Sequence, residues 1–475
     1  MKKTIQIIYT VIFLVLCIVP AVLMPFVNTD TSSENRKLSE MPSFTSEDGG
    51  VNLDWPSEFE TYLSEHFAFR QELVTLDSLM KSEVFQTSSN DQVVVGKNGW
   101  LYFASTLDDY TAQNTLSERG INNTAKTLFL MEEYANACGR EFLFMAAPNK
   151  NTVYPGNMPD RYVKSGNLTN LQMLSARLDE LGVNQLALTE LFASQDKVLY
   201  LSRDSHWSNE GALLVYNAVM DKLGIEHDTF ADVPHHSENT WSGDLDAMLF
   251  PTLDNHCAQE IYDMDYTFNY IGNFMSEDDM LIRTINENKS ARILMYRDSF
   301  GRSLYPFIAE NSYKAEFSRQ IPYRLDLMND IDAEYIVLEI VERNIPAITE
   351  QAPVMAAPMR SMDISAAVRE SDGNICETKE LSGMLKVYGV LDESYFSDDS
   401  DIYVTLEGES GIYGFEAFPI YEAELLEDES QSDYGYSLFI DTDEIPNGDY
   451  AVNVYVESAG SYICTNSLKN IEINN

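Results

Sequence analysis

The sequence predicts an α/β domain built on a mostly parallel sheet flanked by helices. A transmembrane helix precedes it and an all-β sandwich follows. Three observations carry this expectation. Between residues 122 and 342, apolar runs of strand length alternate with stretches of helical periodicity, the pattern of parallel strands buried on both faces. At the N-terminus, Lys2 and Lys3 are followed by an apolar run with no formal charge before Asp30. After Pro358 the texture changes to short alternating runs typical of antiparallel strands. The expected division is a transmembrane anchor at 1–27, a polar linker at 28–50, the α/β domain at 51–358 and the sandwich at 363–475.

The anchor rests on length. About twenty apolar residues rising ~1.5 Å each cross ~30 Å of hydrocarbon. The lysine pair places the N-terminus in the cytoplasm and the remainder outside it. A cleaved signal peptide is the rival, but no small-x-small cleavage site closely follows the apolar run. The linker "NTDTSSENRKLSEMPSFTSEDGG" is polar and punctuated. Helical spacing begins at Asp54 and runs to Phe85, and "DQVVVGKNGWLYF" reads as strand, turn, strand.

A helix around 122–137 then precedes the apolar strand Glu141–Pro148. Another around 168–181 precedes the weaker strand and helix of "NQLALTELFAS". "KVLYL" predicts a short strand, and "SNEGALLVYNAVMDKLG" a helix capped by Ser208 or Asn209 and ended at Gly224. "ARILMYRDSFGRSLYPFIAE" reads strand, turn, helix, and "AEYIVLEIVE" is a further buried strand. In the last region Asn447-Gly448 is a hairpin signal. Cys376 and Cys464 bracket that region, either as a pair across the sandwich or as buried thiols.

Composition limits the partners. Thirty-one basic against 76 acidic residues leave a net charge of −45. Such a surface repels nucleic acid, polyanions and anionic headgroups, and suits a neutral or basic partner.

Two short stretches carry candidate chemistry. In "YLSRDSHW", Asp204 and His206 fall on one side of an extended backbone, because side chains alternate with period two. The carboxylate would hold one ring nitrogen and leave the other as a general base, with Trp207 turned into packing. In "ILMYRDSFGRSLY", Ser299 follows a buried strand and opens a helix. Sheets of this class place reactive groups there, and free N–H groups at a helix start can stabilise an oxyanion. An N-cap serine and a polar loop are the ordinary alternatives. Taken together, the stretches supply a serine, a histidine and an acid, a set that recurs on unrelated folds. Pro234-His235-His236 does not read as a metal site, because adjacent histidines on a strand point to opposite faces and no partner has matching spacing.

Several segments in order resemble the DHHW family, related to the alginate O-acetylation proteins AlgX and AlgJ with their SGNH-hydrolase-like domain. These are "FETYLSEHFAFR", "VVVGKNGWLYF", "AAPNKNTVYP", "DSHW", "RDSFG" and "LEIVERNI", spread over roughly residues 50–350. The resemblance implies an SGNH-hydrolase-like fold acting on exported polysaccharide, with no cofactor. It makes Ser299 the acyl-accepting nucleophile, His206 the general base and Asp204 its orienter. It implies a polysaccharide acceptor and a membrane-bound O-acyltransferase as acetyl source. Ser205 stands where the family motif has histidine and is expected to face away from Asp204 and His206. Arg297 stands where the family often has glycine, beside the oxyanion loop. Candidate oxyanion donors are the Ser299 N–H and the "PNKN" loop, Asn149 or Lys150. A carbohydrate esterase using the same residues and a non-catalytic glycan-binding surface protein are the competing functions.

Overall fold

The computed structural model describes residues 2–24, 26–27, 38–46, 49–369, 374–421, 425, 429–458, 460–465 and 469–474. Part of the expected linker, residues 28–37 and 47–48, lies outside the described residues. The centre of the α/β domain is a seven-stranded sheet. Its strands are β1 (Glu141–Ala147), β2 (Gln185–Leu186), β3 (Asn269–Tyr270), β4 (Leu281–Ile285), β5 (Arg292–Tyr296), β6 (Lys314–Ser318) and β7 (Tyr335–Val341). In space they run β2-β1-β7-β5-β6-β4-β3. The first five are parallel, while β4 and β3 add an antiparallel edge.

Both faces are covered, which is why these strands are apolar throughout. Leu143, Met145, Ile293, Met295 and Val337 face helices Asn209–Lys222 and Gly301–Glu310. The alternate residues Phe142, Phe144, Leu294, Tyr296, Ile336 and Leu338 face helices Glu118–Ala137 and Asn170–Leu181. Local chemistry sets the helix ends. Thr169 and Gln172 form a reciprocal capping box, and the Ser208 hydroxyl accepts from the Gly211 N–H. Ser208, rather than Asn209, is therefore the cap.

Several expected elements differ. The helical stretch from Asp54 to Phe85 is two helices, Trp55–His66 and Arg70–Phe85, broken where Phe69 takes φ 60°. "KVLYL" forms no strand; Tyr200 makes only a single bridge to Trp207, so the chain turns back at once. Asn447-Gly448 is not a hairpin turn. Strand Gly435–Ile440 pairs with Met384–Val390, whereas Gly448–Ser458 lies in the other sheet. The tight hairpin nearby turns at Ser382-Gly383, both with positive φ, which matches strand twist.

The C-terminal region holds a seven-stranded and a three-stranded sheet whose inner faces share one core, with Val387 and Leu438 against Val404, Val452 and Val454. Cys376 and Cys464 are both buried and are not joined in a disulfide. Phe418, Ile420 and Phe439 of this region pack into the α/β core itself. Arg119 crosses the same boundary, donating to the carbonyls of Ser397, Ser400 and Asp433. At the other end, Lys2–Leu23 is the one helix among the described residues long and apolar enough to cross a membrane.

Candidate active site

The site forms at the C-terminal ends of β5 and β7. Leu338 pairs with Tyr296, and Val341 and Ser299 each lie three residues further along. Between Tyr296 and the helix at Gly301 the chain makes one turn, which Asp298 braces. Its two carboxylate oxygens accept from Phe300 N–H (2.8 Å) and from Val341 N–H (2.8 Å). Ser299 is thereby fixed at the helix start, half-buried and open on one side.

The structure joins the two stretches expected from sequence. His206 Nε2 lies 2.8 Å from Ser299 Oγ, and His206 Nδ1 lies 2.7 Å from Asp204 Oδ1. A carboxylate can only accept, so Nδ1 carries the proton and Nε2 is left to receive the Ser299 hydroxyl proton. Asp204 is held on three further sides. It accepts from the His206 backbone N–H (2.8 Å), Trp241 Nε1 (2.9 Å) and Asp244 N–H (3.2 Å).

Trp241 and Asp244 were not legible as site residues in the sequence. They arrive on the hairpin His235–Trp241/Cys257–Tyr262 and the turn after it. That turn depends on Gly243, where a Cβ would come within 2.3 Å of the Arg203 carbonyl oxygen. On the hairpin His236 meets Glu238 while His235 meets the Val233 carbonyl, so the adjacent histidines diverge as expected.

Ser205 does not face away. The chain bends at 202–206, so Asp204 reaches His206 through a turn rather than along an extended strand. Ser205 Oγ consequently lies 3.2 Å from His206 Nδ1 and donates to Asp244 Oδ2. Trp207 is turned into packing, 1% exposed, with its Nε1 donating to Ser303 Oγ (2.9 Å).

The "PNKN" residues are buttresses. Lys150 is buried and its ammonium donates to the carbonyls of Leu201 (3.0 Å), Ser202 (3.1 Å) and Asp204 (2.5 Å), fixing the loop that carries the acid. Burial draws its pKa down to about 7. Asn149 gives its backbone N–H to Glu342 (2.8 Å) and its amide to Asp109 (3.0 Å). These N–H groups are bonded within the chain. Burial lifts Glu342 to about 7 and Asp109 to about 6. Arg297 also points away from the nucleophile, donating to the carbonyls of Glu277 (2.5 Å) and Asp298 (3.2 Å). Its stem covers Gly301, where a Cβ would meet Arg297 Cδ at 2.6 Å, so the arginine is accommodated because residue 301 is glycine.

Charge in the site follows from these contacts. Burial works against a charge on His206, but the hydrogen bond and charge of Asp204 outweigh it and raise the histidine above its ordinary value. Burial likewise opposes ionisation of Asp204; His206, Trp241 and the backbone overcome this and hold the acid well below the usual carboxylate range. Asp244, partly buried beside Asp204, is raised by loss of solvent and by that neighbouring charge. A general base must be neutral to act. Activity that depends on His206 is therefore expected to fall with acid below a midpoint above that of a free histidine, near 6.5. A pH–kcat/KM profile checks this, and a midpoint well below 6 would contradict it. Ligand atoms of Asp204, His206 and Asp244 also lie within 4.8 Å of one another. A cation there would have to displace the Asp204–His206 bond.

No curated protein matches the chain. Among solved structures it is similar to Bacillus cereus PatB1 (16% identity, TM-score 0.44), over 53% of this chain and 96% of that one. It is also similar to a DHHW family protein from Eubacterium siraeum (14%, TM-score 0.40; 53% and 94%). A third similar structure is the O-acetyltransferase domain of Pseudomonas putida AlgJ (16%, TM-score 0.35; 54% and 92%). In sequence, residues 93–257, which carry Asp204, His206, Trp241 and Asp244, match the family described as the SGNH hydrolase-like domain of the acetyltransferase AlgX.

Proposed function

We propose that this chain is a membrane-anchored, extracytoplasmic O-acetyltransferase of a cell-surface or secreted polysaccharide. It works through an acyl-serine intermediate. The observation that carries the proposal is the hydrogen-bonded chain Ser299–His206–Asp204, at 2.8 and 2.7 Å, open to solvent at the serine end. The match of residues 93–257 to the AlgX domain supports acetyl transfer as the reaction. The apolar helix Lys2–Leu23 and its flanking lysines support anchorage with the remainder outside the cytoplasm.

In the first half-reaction, Ser299 Oγ attacks the carbonyl carbon of an acetyl donor while its proton passes to His206 Nε2. The tetrahedral oxyanion collapses, the donor's oxygen leaves with the proton held by His206, and acetyl-Ser299 remains. In the second, His206 takes the proton of a sugar hydroxyl, whose oxygen attacks the acetyl group; the C–Oγ bond breaks and His206 returns the proton to Ser299 Oγ. Asp204 keeps the imidazole in the required tautomer throughout. A membrane-bound O-acyltransferase fits as the acetyl source, because the anchor keeps this domain at the membrane face. The net charge of −45 favours a neutral or basic acceptor over a polyanion.

Water attacking acetyl-Ser299 would make the same site an esterase, a reading favoured by the partial exposure of Ser299 and His206. Detergent-solubilised full-length protein, given an activated aryl acetate and neutral oligosaccharides, separates the readings. The expected result is acetyl-Ser299 followed by acetylated sugar. Acetate alone across a panel of acceptors makes the protein an esterase. No acetyl-enzyme and no turnover leaves a glycan-binding protein.

A further inference from the structure

The oxyanion formed on Ser299 needs donors, and in the "PNKN" loop the Asn149 backbone N–H and the Asn149 and Lys150 side chains are bonded elsewhere. Among the described residues the Ser299 N–H has no acceptor, but the Phe300 N–H is bonded to Asp298. Nearby arginine side chains are also occupied. Arg297 holds the carbonyls of Glu277 and Asp298, Arg302 pairs with Asp278, and Arg203 pairs with Asp246.

Arg343 differs. Its guanidinium makes no hydrogen bond or ion pair with the described residues. The strand next to the nucleophile's ends at Val341, and Arg343 follows two residues later, in the 3-10 helix Glu342–Thr349. Two rings hold it: its Cζ is 5.2 Å from the Phe103 centroid and 5.7 Å from that of Phe300. The His206 ring also contacts Phe300, at 4.8 Å. The base and the guanidinium therefore contact the same buried phenyl ring, whose residue directly follows Ser299. A guanidinium steadied by rings keeps its N–H edges free for an oxygen-centred anion.

We propose that Arg343 is a catalytic residue that donates an N–H to the oxyanion formed on acylation and deacylation of Ser299, alongside the Ser299 N–H. This rests on the acyl-serine reading above. As Oγ bonds to the carbonyl carbon, the π pair moves onto the carbonyl oxygen and the Oγ proton goes to His206. Arg343 keeps all its protons, and its charge stabilises that oxygen until the pair returns and the leaving group departs. The charge on oxygen is greatest in the transition state, so the contribution falls on kcat rather than on ester binding.

The test is the single-turnover acetylation rate of full-length protein by an activated aryl acetate. R343A is expected to lower the acetylation rate constant about 10²- to 10³-fold while the half-saturating ester concentration changes little. R343K, which keeps the charge but loses the fork, loses less, and added guanidinium chloride restores part of the R343A rate. R343Q, nearer the arginine in volume, carries the same expectation should R343A fail to fold. Acetylation at the wild-type rate in a folded R343A or R343Q, or a loss confined to ester binding, overturns the assignment. S299A separates the two levels. If acetyl-enzyme disappears in S299A yet R343A acetylates normally, only the Arg343 assignment fails. If it persists in S299A, the acyl-serine reading fails.

Discussion

Ser299→Ala abolishes acetyl-enzyme formation and is expected to lower turnover by about 10⁶-fold, about 8 kcal/mol of lost transition-state stabilisation. The size follows from the arrangement. Without Oγ, His206 has no proton to take and Asp204 no working base to orient, so the three residues fail together and not by thirds. Only the oxyanion donors and substrate binding remain, worth about 10³- to 10⁴-fold over water. Stability should hardly change, because Ser299 Oγ is bonded only to His206 and the turn is braced through Asp298. Mass spectrometry of the protein after exposure to an activated acetyl ester reads the first outcome, and thermal melting the second. A melting point many degrees lower would show that the loss came from misfolding.

The second large effect is expected from Asp204→Asn, at about 10⁴-fold in kcat. The substitution changes almost no volume but reverses a hydrogen bond. An amide can present its N–H₂ to His206 Nδ1, which then accepts, and the ring proton moves to Nε2. Nε2 now offers Ser299 a proton when it should receive one. Presenting the amide oxygen instead leaves an N–H₂ facing the donors Trp241 Nε1 and Asp244 N–H, so one side is always mismatched. The loss should fall on kcat, with little change in acceptor KM. The ring-nitrogen resonances of His206 would report the exchanged tautomer. A kcat within tenfold of wild type would mean that Asp204 serves folding alone.

The grouping of Ser299, His206 and Asp204 was legible because each part lies on a feature that sequence shows directly. Ser299 follows the apolar run Ile293–Tyr296 and precedes a helix pattern, so its place at a strand end could be read without coordinates. Asp204 and His206 are two apart, close enough for local geometry to join them, although by a bend and not by an extended strand. The rest depended on distant pairing. Trp241 and Asp244 reach Asp204 from 37 and 40 residues away, on a hairpin whose first strand, "HHSENTW", is too polar and exposed to show alternation. Lys150 was a candidate oxyanion donor from its place in the "PNKN" loop; its side chain is buried and bonded to three carbonyl acceptors. Arg343 was hidden in "LEIVERNI", read only as a closing strand, since nothing local tells a bonded arginine from an unbonded one.

The packing of Phe418, Ile420 and Phe439 into the α/β interior has a consequence for how the chain is divided. The change of texture after Pro358 looks like a seam between independent modules, each with its own interior. The apolar contacts ignore that seam, and Arg119 and the Arg360–Glu133 pair stitch it with charge. A chain cut there would leave a greasy scar on the enzymatic half. The sandwich is in this sense part of the enzyme's foundation, and its exchange for another module requires a matching apolar footprint as well as a suitable length of tether.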